Sequence, residues 1–211
     1  MGVLGGTFDP PHIGHVVVAV EALWQLELDE LRLVPARIPP HKPAGPWTSA
    51  ERRAAWVEAA AAEHEGLVAS RIELLREGPS YTADTLEEMA AAEPGARLWF
   101  VLGADQLSEL PRWRDPQRIL AAARLAVVPR EGRSRSELQE TADRVAPGRV
   151  DWLDVPEIGI SSSLVRARAA AGRPFAHLLP APVAEAVRRE GLVPSATSDA
   201  PRKDTSSPRS I

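Results

Sequence analysis

The feature that most constrains the fold of this chain is the alternation of short apolar runs with longer segments of helical periodicity. Six short runs are predicted strands, and the segments between them carry residues that start helices. Strands that alternate with helices form βαβ units, whose strands lie parallel. We therefore predict an α/β fold with a doubly wound, mostly parallel sheet, helices on both of its faces and a small helical portion at the C-terminus. The predicted strands are Gly2–Leu4, Leu31–Pro35, Leu67–Ile72, Arg97–Leu102, Leu125–Val128 and Val150–Val155.

Five helix starts can be read from capping residues, because Ser, Thr and Asp side chains accept hydrogen bonds from the free N–H groups of a first turn. Two of these starts are predicted capping boxes, which pair Thr48 with Glu51 and Ser134 with Glu137. The other predicted N-caps are Thr82, Asp115 and either Ser161 or Ser162.

The length of 211 residues suits one α/β domain, which we assign to residues 1–194. The remaining segment, Ser195–Ile211, has only three apolar residues among seventeen. Such a composition cannot bury enough apolar surface to offset the entropy of ordering, so we predict a disordered C-terminal tail.

Composition excludes several classes of function. The 25 Lys and Arg residues against 29 Asp and Glu residues give a net charge of −4, which disfavours an extended nucleic-acid surface. The chain has no cysteine, so disulfides, thiolate metal sites and Cys nucleophiles are excluded. No signal peptide and no apolar run of about 18 residues is visible, so we expect a cytoplasmic protein without membrane contact. The sequence leaves open whether the chain forms a homo-oligomer.

The most informative segment is Gly5–His15, with the sequence GGTFDPPHIGH, which joins the first strand to a helical pattern. Its two leading glycines allow a tight turn and close approach by a ligand. The following helix N-terminus offers unpaired N–H groups to a phosphate. His12 and His15 lie three residues apart on one helical face, and Gly14 between them leaves room for a nucleotide. We favour a nucleotide-phosphate site here over a structural turn with two surface histidines. Zinc is disfavoured because no third ligand is near.

The same segment resembles the GxFDPxHxGH signature of the nucleotidyltransferase superfamily, which includes the HIGH motif of class I aminoacyl-tRNA synthetases. Further along, Ile160–Arg166 (ISSSLVR) is similar to the ISSTxxR motif, with Ser163 in place of the usual threonine. A serine-rich helix start with an arginine one turn later forms a second phosphate cradle. The ATP contacts that the resemblance implies are Gly5, Gly6, Thr7, Phe8, His12, Gly14, His15, Ile160, Ser161, Ser162 and Arg166.

Further segments resemble the bacterial nicotinate-nucleotide adenylyltransferases, and this similarity covers about residues 2–193. The matching segments are Pro40–Pro43, Ser80–Leu86, Gly103–Leu107 and Leu110–Trp113. The resemblance implies that Lys42 and its loop close over the triphosphate and that Trp113 stacks on the pyridine ring of the acceptor. It also implies that Gly103 and Asp105 contact the ribose of ATP, and that Thr82, beside Tyr81, receives the nicotinate carboxylate.

Reasoning from the residues alone supports part of this assignment. In a doubly wound, Rossmann-like sheet the first and fourth strands are neighbours, so the loop at Gly103–Asp105 is expected to face Gly5–His15. Asp105 has the alternative role of a helix cap, and Trp113 that of an aromatic that plugs its own loop. Lys42 taken alone has the character of a solvated surface lysine.

The resemblance implies an adenylyltransferase that joins AMP from ATP to nicotinate mononucleotide, giving deamido-NAD and pyrophosphate. Such a reaction needs positioning and charge neutralisation rather than an enzyme nucleophile, with His12, His15, Arg166 and Lys42 as the expected catalytic residues. Mg²⁺ would be held mainly by the ATP phosphates, with no metal site built from protein ligands. The alternatives are transfer to phosphopantetheine, to nicotinamide mononucleotide or to a polyol phosphate, and a nucleotide sensor without turnover.

Overall fold

The computed structural model describes residues 1–40, 45–129 and 134–192, with only the backbone at residue 135. Lys42 and the predicted tail at 195–211 therefore lie outside the described residues. Within the described part, six strands form one sheet in the order β3-β2-β1-β4-β5-β6, and every neighbouring pair is parallel. The strands are β1 Gly2–Gly6, β2 Leu31–Pro35, β3 Leu67–Ala69, β4 Trp99–Gly103, β5 Arg124–Val128 and β6 Val150–Trp152.

The helices follow the strands in the alternation that the sequence predicts. They are α1 Ile13–Gln25, α2 Ala50–Ala61, α3 Ile72–Leu75, α4 Thr82–Ala92, α5 Ala104–Glu109, α6 Pro116–Ala122, α7 Arg135–Val145, α8 Ser162–Ala170 and α9 Ala181–Glu190. Short 3-10 turns lie at Leu110–Arg112 and Ala176–Leu178. No helix in the described ranges is long and apolar enough to cross a membrane.

Helices cover both faces of the sheet, as predicted. Successive residues of a strand point to opposite faces, so Phe100 and Leu102 join one buried cluster and Val101 joins the other. The first cluster contains side chains of α4–α7, and the second contains side chains of α1 and α2. A third cluster, with Trp56 of α2 against Val165 of α8 and Val187 of α9, holds the C-terminal helical portion on the domain.

Several of the predicted boundaries are wrong. Among the strands, β1 ends at Gly6 instead of Leu4, β4 begins at Trp99 instead of Arg97, and β6 ends at Trp152 instead of Val155. Ser49, not Thr48, caps α2 with its hydroxyl, because the Thr48 side chain is buried and the helix begins one residue later. Tyr81 is the N-cap of α4, and Thr82 is already its first helical residue. The third strand ends at Ala69, because Ile72 begins α3.

The other predicted helix starts are confirmed. Ser134 and Glu137 form the capping box of α7, with both reciprocal hydrogen bonds present. Asp115 is the N-cap of α6 in a left-handed conformation, although its side chain makes no capping bond. Ser161 caps α8 by accepting from Leu164 N–H at 3.1 Å.

The strand order places a crevice between β1 and β4. The chain runs outward from β1 to β3, returns to β4 beside β1, and then continues to β6. The paired part of β1 and β4 ends at Val3 and Phe100, so the two strands separate before their carboxyl ends. Ligands bind in open α/β sheets at such a reversal of strand order.

Candidate active site

The turn after β1 is built around a buried phenylalanine. Phe8 is 1% exposed and has a φ of 50°, so its ring lies beneath the end of the strand. A Cβ added at Gly6 would meet this ring at 3.0 Å, so any larger residue there would require the Phe8 ring to shift. The Thr7 carbonyl is fixed from below by Arg53 Nη1 at 2.7 Å.

His12 and His15 form one stacked pair at the start of α1. Their ring centroids are 3.7 Å apart at an interplanar angle of 26°, and His12 is the N-cap of the helix. The His12 N–H donates to His15 Nδ1 at 3.1 Å. A neutral His15 therefore carries its proton on Nε2, which makes that nitrogen a hydrogen-bond donor. The Phe8 ring meets His15 edge-on at 4.8 Å and supports it from the other side.

His12 is the more buried of the two histidines, at 7% exposure. Burial lowers the pKa of His12 to about 4, so the ring is neutral at pH 7. Its Nδ1 is buried and has no hydrogen-bond partner among the described residues. Gly14 makes room for this ring, because a Cβ there would meet His12 Nδ1 at 3.1 Å.

The serine-rich motif of α8 docks directly on the turn after β1. Ser162 Oγ donates to the Pro10 carbonyl at 2.8 Å, and Arg166 Nη1 donates to the Asp9 carbonyl at 2.6 Å. Arg166 Nη2 also donates to Ser163 Oγ at 3.1 Å, which holds the guanidinium close to its own helix. The two motifs are about 150 residues apart in sequence and form one surface. Ile160 anchors the approach to α8 by packing on the C-terminal cluster.

Asp9 supports this surface from inside. The side chain is 2% exposed, and its Oδ2 accepts from Trp47 N–H at 2.6 Å. The same oxygen lies 4.0 Å from Arg166 Nη1, while the guanidinium lies 5.3 Å from the centroid of the Trp47 ring. Asp9 Oδ1 is buried without a hydrogen-bond partner in the described part of the chain. Asp9 therefore links the motif turn to both Trp47 and Arg166.

Arg53 of α2 joins three loops beneath the site. This side chain has no exposed surface, and it donates to the carbonyls of Thr7, Thr48 and Arg37. Burial lowers the pKa of Arg53, and the charges of Asp9 and Glu73 oppose that shift.

A cavity opens beside the turn, between β1, β4 and the start of α4. Its lining includes Gly5–Thr7 from the turn and Tyr81, Thr82, Trp113 and Arg114 from the start of α4 and the loop before α6. The Trp113 ring meets Phe100 edge-on at 6.1 Å and packs against the sheet cluster. Trp113 thus has both the core contact of a structural aromatic and the cavity position of a stacking one.

The start of α4 is held at the cavity by a buried carboxylate. Glu73 Oε1 accepts from the Thr85 hydroxyl at 2.7 Å, and the Ser80 hydroxyl also bonds to this carboxyl group. Burial raises the pKa of Glu73, and those two hydroxyl bonds oppose the shift. Ser80 Oγ in turn accepts from Arg37 N–H at 2.9 Å. The network fixes Tyr81 and Thr82 relative to the end of β2.

The loop after β4 lies on the other side of the crevice, as predicted. Gly103 is the N-cap of α5, and its N–H donates to Gln106 Oε1 at 3.1 Å. The alternative role of Asp105 as a helix cap is therefore wrong. Asp105 is exposed and lines a second cavity together with Gln106 and Trp113.

Comparison with known proteins identifies the family. Residues 3–168 match the cytidylyltransferase-like family model. A probable nicotinate-nucleotide adenylyltransferase of Aeromonas hydrophila is 41% identical over 206 residues, covering 91% of this chain and 96% of the relative. One from Geobacillus thermodenitrificans is 38% identical over 198 residues, covering 94% and 88%. The chain belongs to the nicotinate-nucleotide adenylyltransferase family.

Solved structures agree with this fold. A nicotinic acid mononucleotide adenylyltransferase of Plasmodium falciparum, complexed with NaAD, has a TM-score of 0.72 at 16% identity and covers 89% of this chain and 94% of its own. A putative nicotinate-nucleotide adenylyltransferase of Vibrio parahaemolyticus has a TM-score of 0.61 at 19% identity, with coverages of 89% and 97%. At these identities the similarity concerns the fold alone.

In this member of the family the two predicted phosphate motifs come together, whereas Lys42 lies outside the described residues. Sequence reasoning missed Asp9, Arg53 and Arg114. Asp9 stood inside the quoted motif, which was its only signal. The sequence contains no signal for the role of Arg53, because a single arginine on an amphipathic helix is typical of a solvent-exposed face.

Proposed function

We propose that this chain transfers AMP from ATP to nicotinate mononucleotide and releases deamido-NAD and pyrophosphate. The observation that carries the proposal is the docking of Ser162 and Arg166 on the turn that leads to the stacked histidines. That surface lies at the reversal of strand order, where nucleotides bind in such sheets. The names of the curated relatives support the choice of acceptor.

ATP would bind with its phosphates along the turn after β1 and the first turn of α1. Helix N–H groups and the positive end of the helix dipole favour phosphate there. The proposed contacts are Gly5, Gly6, Thr7, Phe8, His12, Gly14, His15, Ile160, Ser161, Ser162 and Arg166, with Gly103 and Asp105 at the ribose.

The two histidines would act as hydrogen-bond donors of different character. His12 is neutral, so it supplies a hydrogen bond rather than a full charge to a phosphate oxygen. His15 would donate from Nε2, because its Nδ1 is occupied by the His12 N–H. Arg166 would supply positive charge for the leaving phosphates, since two of its N–H groups are used on Asp9 and Ser163 and the others remain for a ligand.

The chemical step is an in-line displacement. A phosphate oxygen of nicotinate mononucleotide attacks the α-phosphorus of ATP, and the bond from that phosphorus to the β-phosphate bridging oxygen breaks. The electron pair leaves with pyrophosphate, and no covalent enzyme intermediate forms. The protein contributes positioning and charge neutralisation. ATP enters as its Mg²⁺ complex, and the described residues bring together no group of three or more metal-ligating side chains.

The acceptor would occupy the cavity between the turn and α4. Trp113 would stack on the pyridine ring, and Tyr81 and Thr82 would lie beside its substituent at the start of α4. Lys42 stays a prediction from the sequence as a further ligand of the phosphates.

The test is pyrophosphate release from ATP with a panel of acceptors under matched conditions. The panel contains nicotinate mononucleotide, nicotinamide mononucleotide, pantetheine phosphate and a polyol phosphate. We expect release with nicotinate mononucleotide in equal amount to deamido-NAD. Faster release with pantetheine phosphate or a polyol phosphate would overturn the acceptor. No release with any of them would favour a nucleotide sensor.

A further inference from the structure

The lining of the acceptor cavity has two chemically different parts. Gly5–Thr7 belong to the turn after β1, which leads to the stacked histidines. Tyr81, Trp113 and Arg114 also line the cavity, and the Arg114 guanidinium lies over the Tyr81 ring at the start of α4. Among the described residues that line the cavity, Arg114 is the one cation and Glu73 the one anion.

Arg114 is held at the rim of this cavity. Its guanidinium carbon lies 4.4 Å from the centroid of the Tyr81 ring, so the ring face supports the charged group. Its Nε lies 3.5 Å from Asp115 Oδ2, which also accepts from Arg118 Nη1 at 3.1 Å. A guanidinium has five N–H donors, and the long contact with Asp115 involves one of them. The side chain is 54% exposed, so a ligand can reach it.

The contact of Arg114 with Tyr81, beside Thr82 and Trp113, indicates which part of the acceptor would meet it. The reacting phosphate must lie near the turn after β1, and the pyridine ring beside Trp113. The ring substituent, which is farthest from the phosphate, then lies between Arg114 and the start of α4. A carboxylate there accepts two parallel N–H bonds from a guanidinium, whereas a carboxamide has one carbonyl acceptor beside two N–H donors and carries no charge.

We propose that Arg114 is a specificity-determining residue, whose guanidinium pairs with the carboxylate of the pyridine ring and disfavours the carboxamide. The inference rests on the proposed function. It adds a residue to the expected carboxylate contacts of Thr82 and the backbone N–H groups of α4. Those groups would orient the carboxylate by hydrogen bonds, and Arg114 would supply a full positive charge.

The test compares kcat/KM for nicotinate mononucleotide and nicotinamide mononucleotide in wild type, Arg114→Gln and Arg114→Lys. Both acceptors carry the same phosphate, so an effect on phosphate binding cancels in their ratio. We expect Arg114→Gln to lower the acid-to-amide ratio at least about tenfold, mainly through the KM of the acid. The acid-to-amide ratio of Arg114→Lys should lie between those of the wild type and Arg114→Gln. Lysine keeps the charge but lacks the bidentate fork of the guanidinium.

Arg97→Gln is the matched control. Arg97 is an exposed arginine whose guanidinium lies 5.5 Å from the centroid of the Trp99 ring, at the opposite end of β4 from the cavity. Its loss should leave the ratio at the wild-type value.

Two results would overturn the role of Arg114. An unchanged ratio in Arg114→Gln would show that the guanidinium does not read the substituent. An equal loss on both acceptors would assign it to the phosphate instead. Failure of the wild type to form deamido-NAD is a different result, which would overturn the proposed function itself.

Discussion

His12 and His15 lie in the same helical turn, yet the Nδ1 atoms of the two rings have different surroundings. His12 is buried and neutral at pH 7, with an unpartnered Nδ1. His15 accepts the His12 N–H through Nδ1, so a neutral His15 carries its proton on Nε2. Preorganised donors of this kind stabilise charge that develops in a transition state without reorganising. The pair is therefore suited to bind phosphate oxygens at neutral pH without depending on a protonated histidine.

Replacement of His15 tests this role. His15→Ala should lower kcat at least about a hundredfold, because a donor aimed at developing charge is lost. The thermal midpoint should change little, since His15 is only partly buried and no core side chain is removed. His177→Ala, which removes an exposed histidine, is the control for a general effect. Turnover near the wild-type value in His15→Ala would remove the basis of the mechanism.

The low pKa of His12 predicts a specific pH dependence of stability. In the folded chain this ring binds a proton only near pH 4, whereas the pKa of an unperturbed histidine is about 6.5. Between those values the unfolded state binds more protons, so stability falls as the pH is lowered. From pH 7 to pH 5 the wild type should lose about 2 kcal/mol more than His12→Asn, a variant that keeps an N-cap side chain.

Urea unfolding of both proteins at the two pH values measures this difference. The remaining titratable groups are common to both chains and cancel. If the free energy of unfolding fell by the same amount in both proteins, His12 would not be buried as a neutral ring.

At the scale of elements, the site depends on α8 lying against the turn after β1. That contact is made by Ser162 on the Pro10 carbonyl and by Arg166 on the Asp9 carbonyl. Asp9 also accepts the Trp47 N–H, so three separate segments meet at one buried residue. The arginine is therefore restricted by its partners in the free protein, so the proposed binding of a phosphate would cost it less conformational entropy.

Arg166→Lys should lower kcat/KM for ATP at least about tenfold. A lysine keeps the charge, but it cannot hold Asp9 and Ser163 while it also binds phosphate with a planar fork. Arg168→Lys is the control on the same helix, because Arg168 donates instead to the Pro174 carbonyl. A silent Arg166→Lys beside a silent Arg168→Lys would indicate that Arg166 is only a surface residue of α8.

Much of the element pattern could be predicted from the sequence, because it depends on local periodicity. All six strands, their parallel arrangement and the neighbouring positions of β1 and β4 followed from the alternation of apolar runs. The capping box at Ser134 was predictable because both of its partners lie within one turn. The cap of α2 was not, because burial of the Thr48 side chain and the bond from Arg53 to its carbonyl depend on tertiary contacts.

The candidate site likewise contains residues that the sequence predicts and residues that it does not. The histidines and the serine-rich motif could be found because they stand in short strings with a recognisable spacing. Arg53 and Arg114 could not, since their roles depend on carbonyls and rings from distant segments. Arg53 reaches a carbonyl of a residue 46 positions away, and Arg114 lies over Tyr81. No local spacing encodes such contacts.

At the scale of the whole molecule, the reversal of strand order brings the two motifs and the acceptor cavity to one edge of the sheet. The C-terminal helices α8 and α9 pack on α2 through a cluster of their own, which holds the second motif in place. The described residues therefore contain both proposed phosphate surfaces and the lining of the proposed acceptor cavity.

The segment after this domain should be dispensable. A chain that ends at Pro194 lacks seventeen residues, of which three are apolar. We expect its thermal midpoint and its kcat/KM to match those of the full chain. Loss of either in a side-by-side comparison would show that the segment docks on the domain, and the assigned boundary would be wrong.

The central claim is that the acceptor is the acid form of the pyridine mononucleotide. A carboxylate accepts hydrogen bonds only, which matches N–H donors at a helix start and the Arg114 fork. The NH2 group of a carboxamide would face these N–H donors of the protein and could not accept from them. Each buried group left without a hydrogen bond in this way costs about 1–3 kcal/mol.

The most direct test is the ratio of kcat/KM for nicotinate mononucleotide to that for nicotinamide mononucleotide, measured on the wild-type chain with saturating ATP and Mg²⁺. We predict a ratio of at least about one hundred in favour of the acid. Equal use of the two acceptors would contradict the acid-specific assignment while leaving the adenylyltransferase class intact.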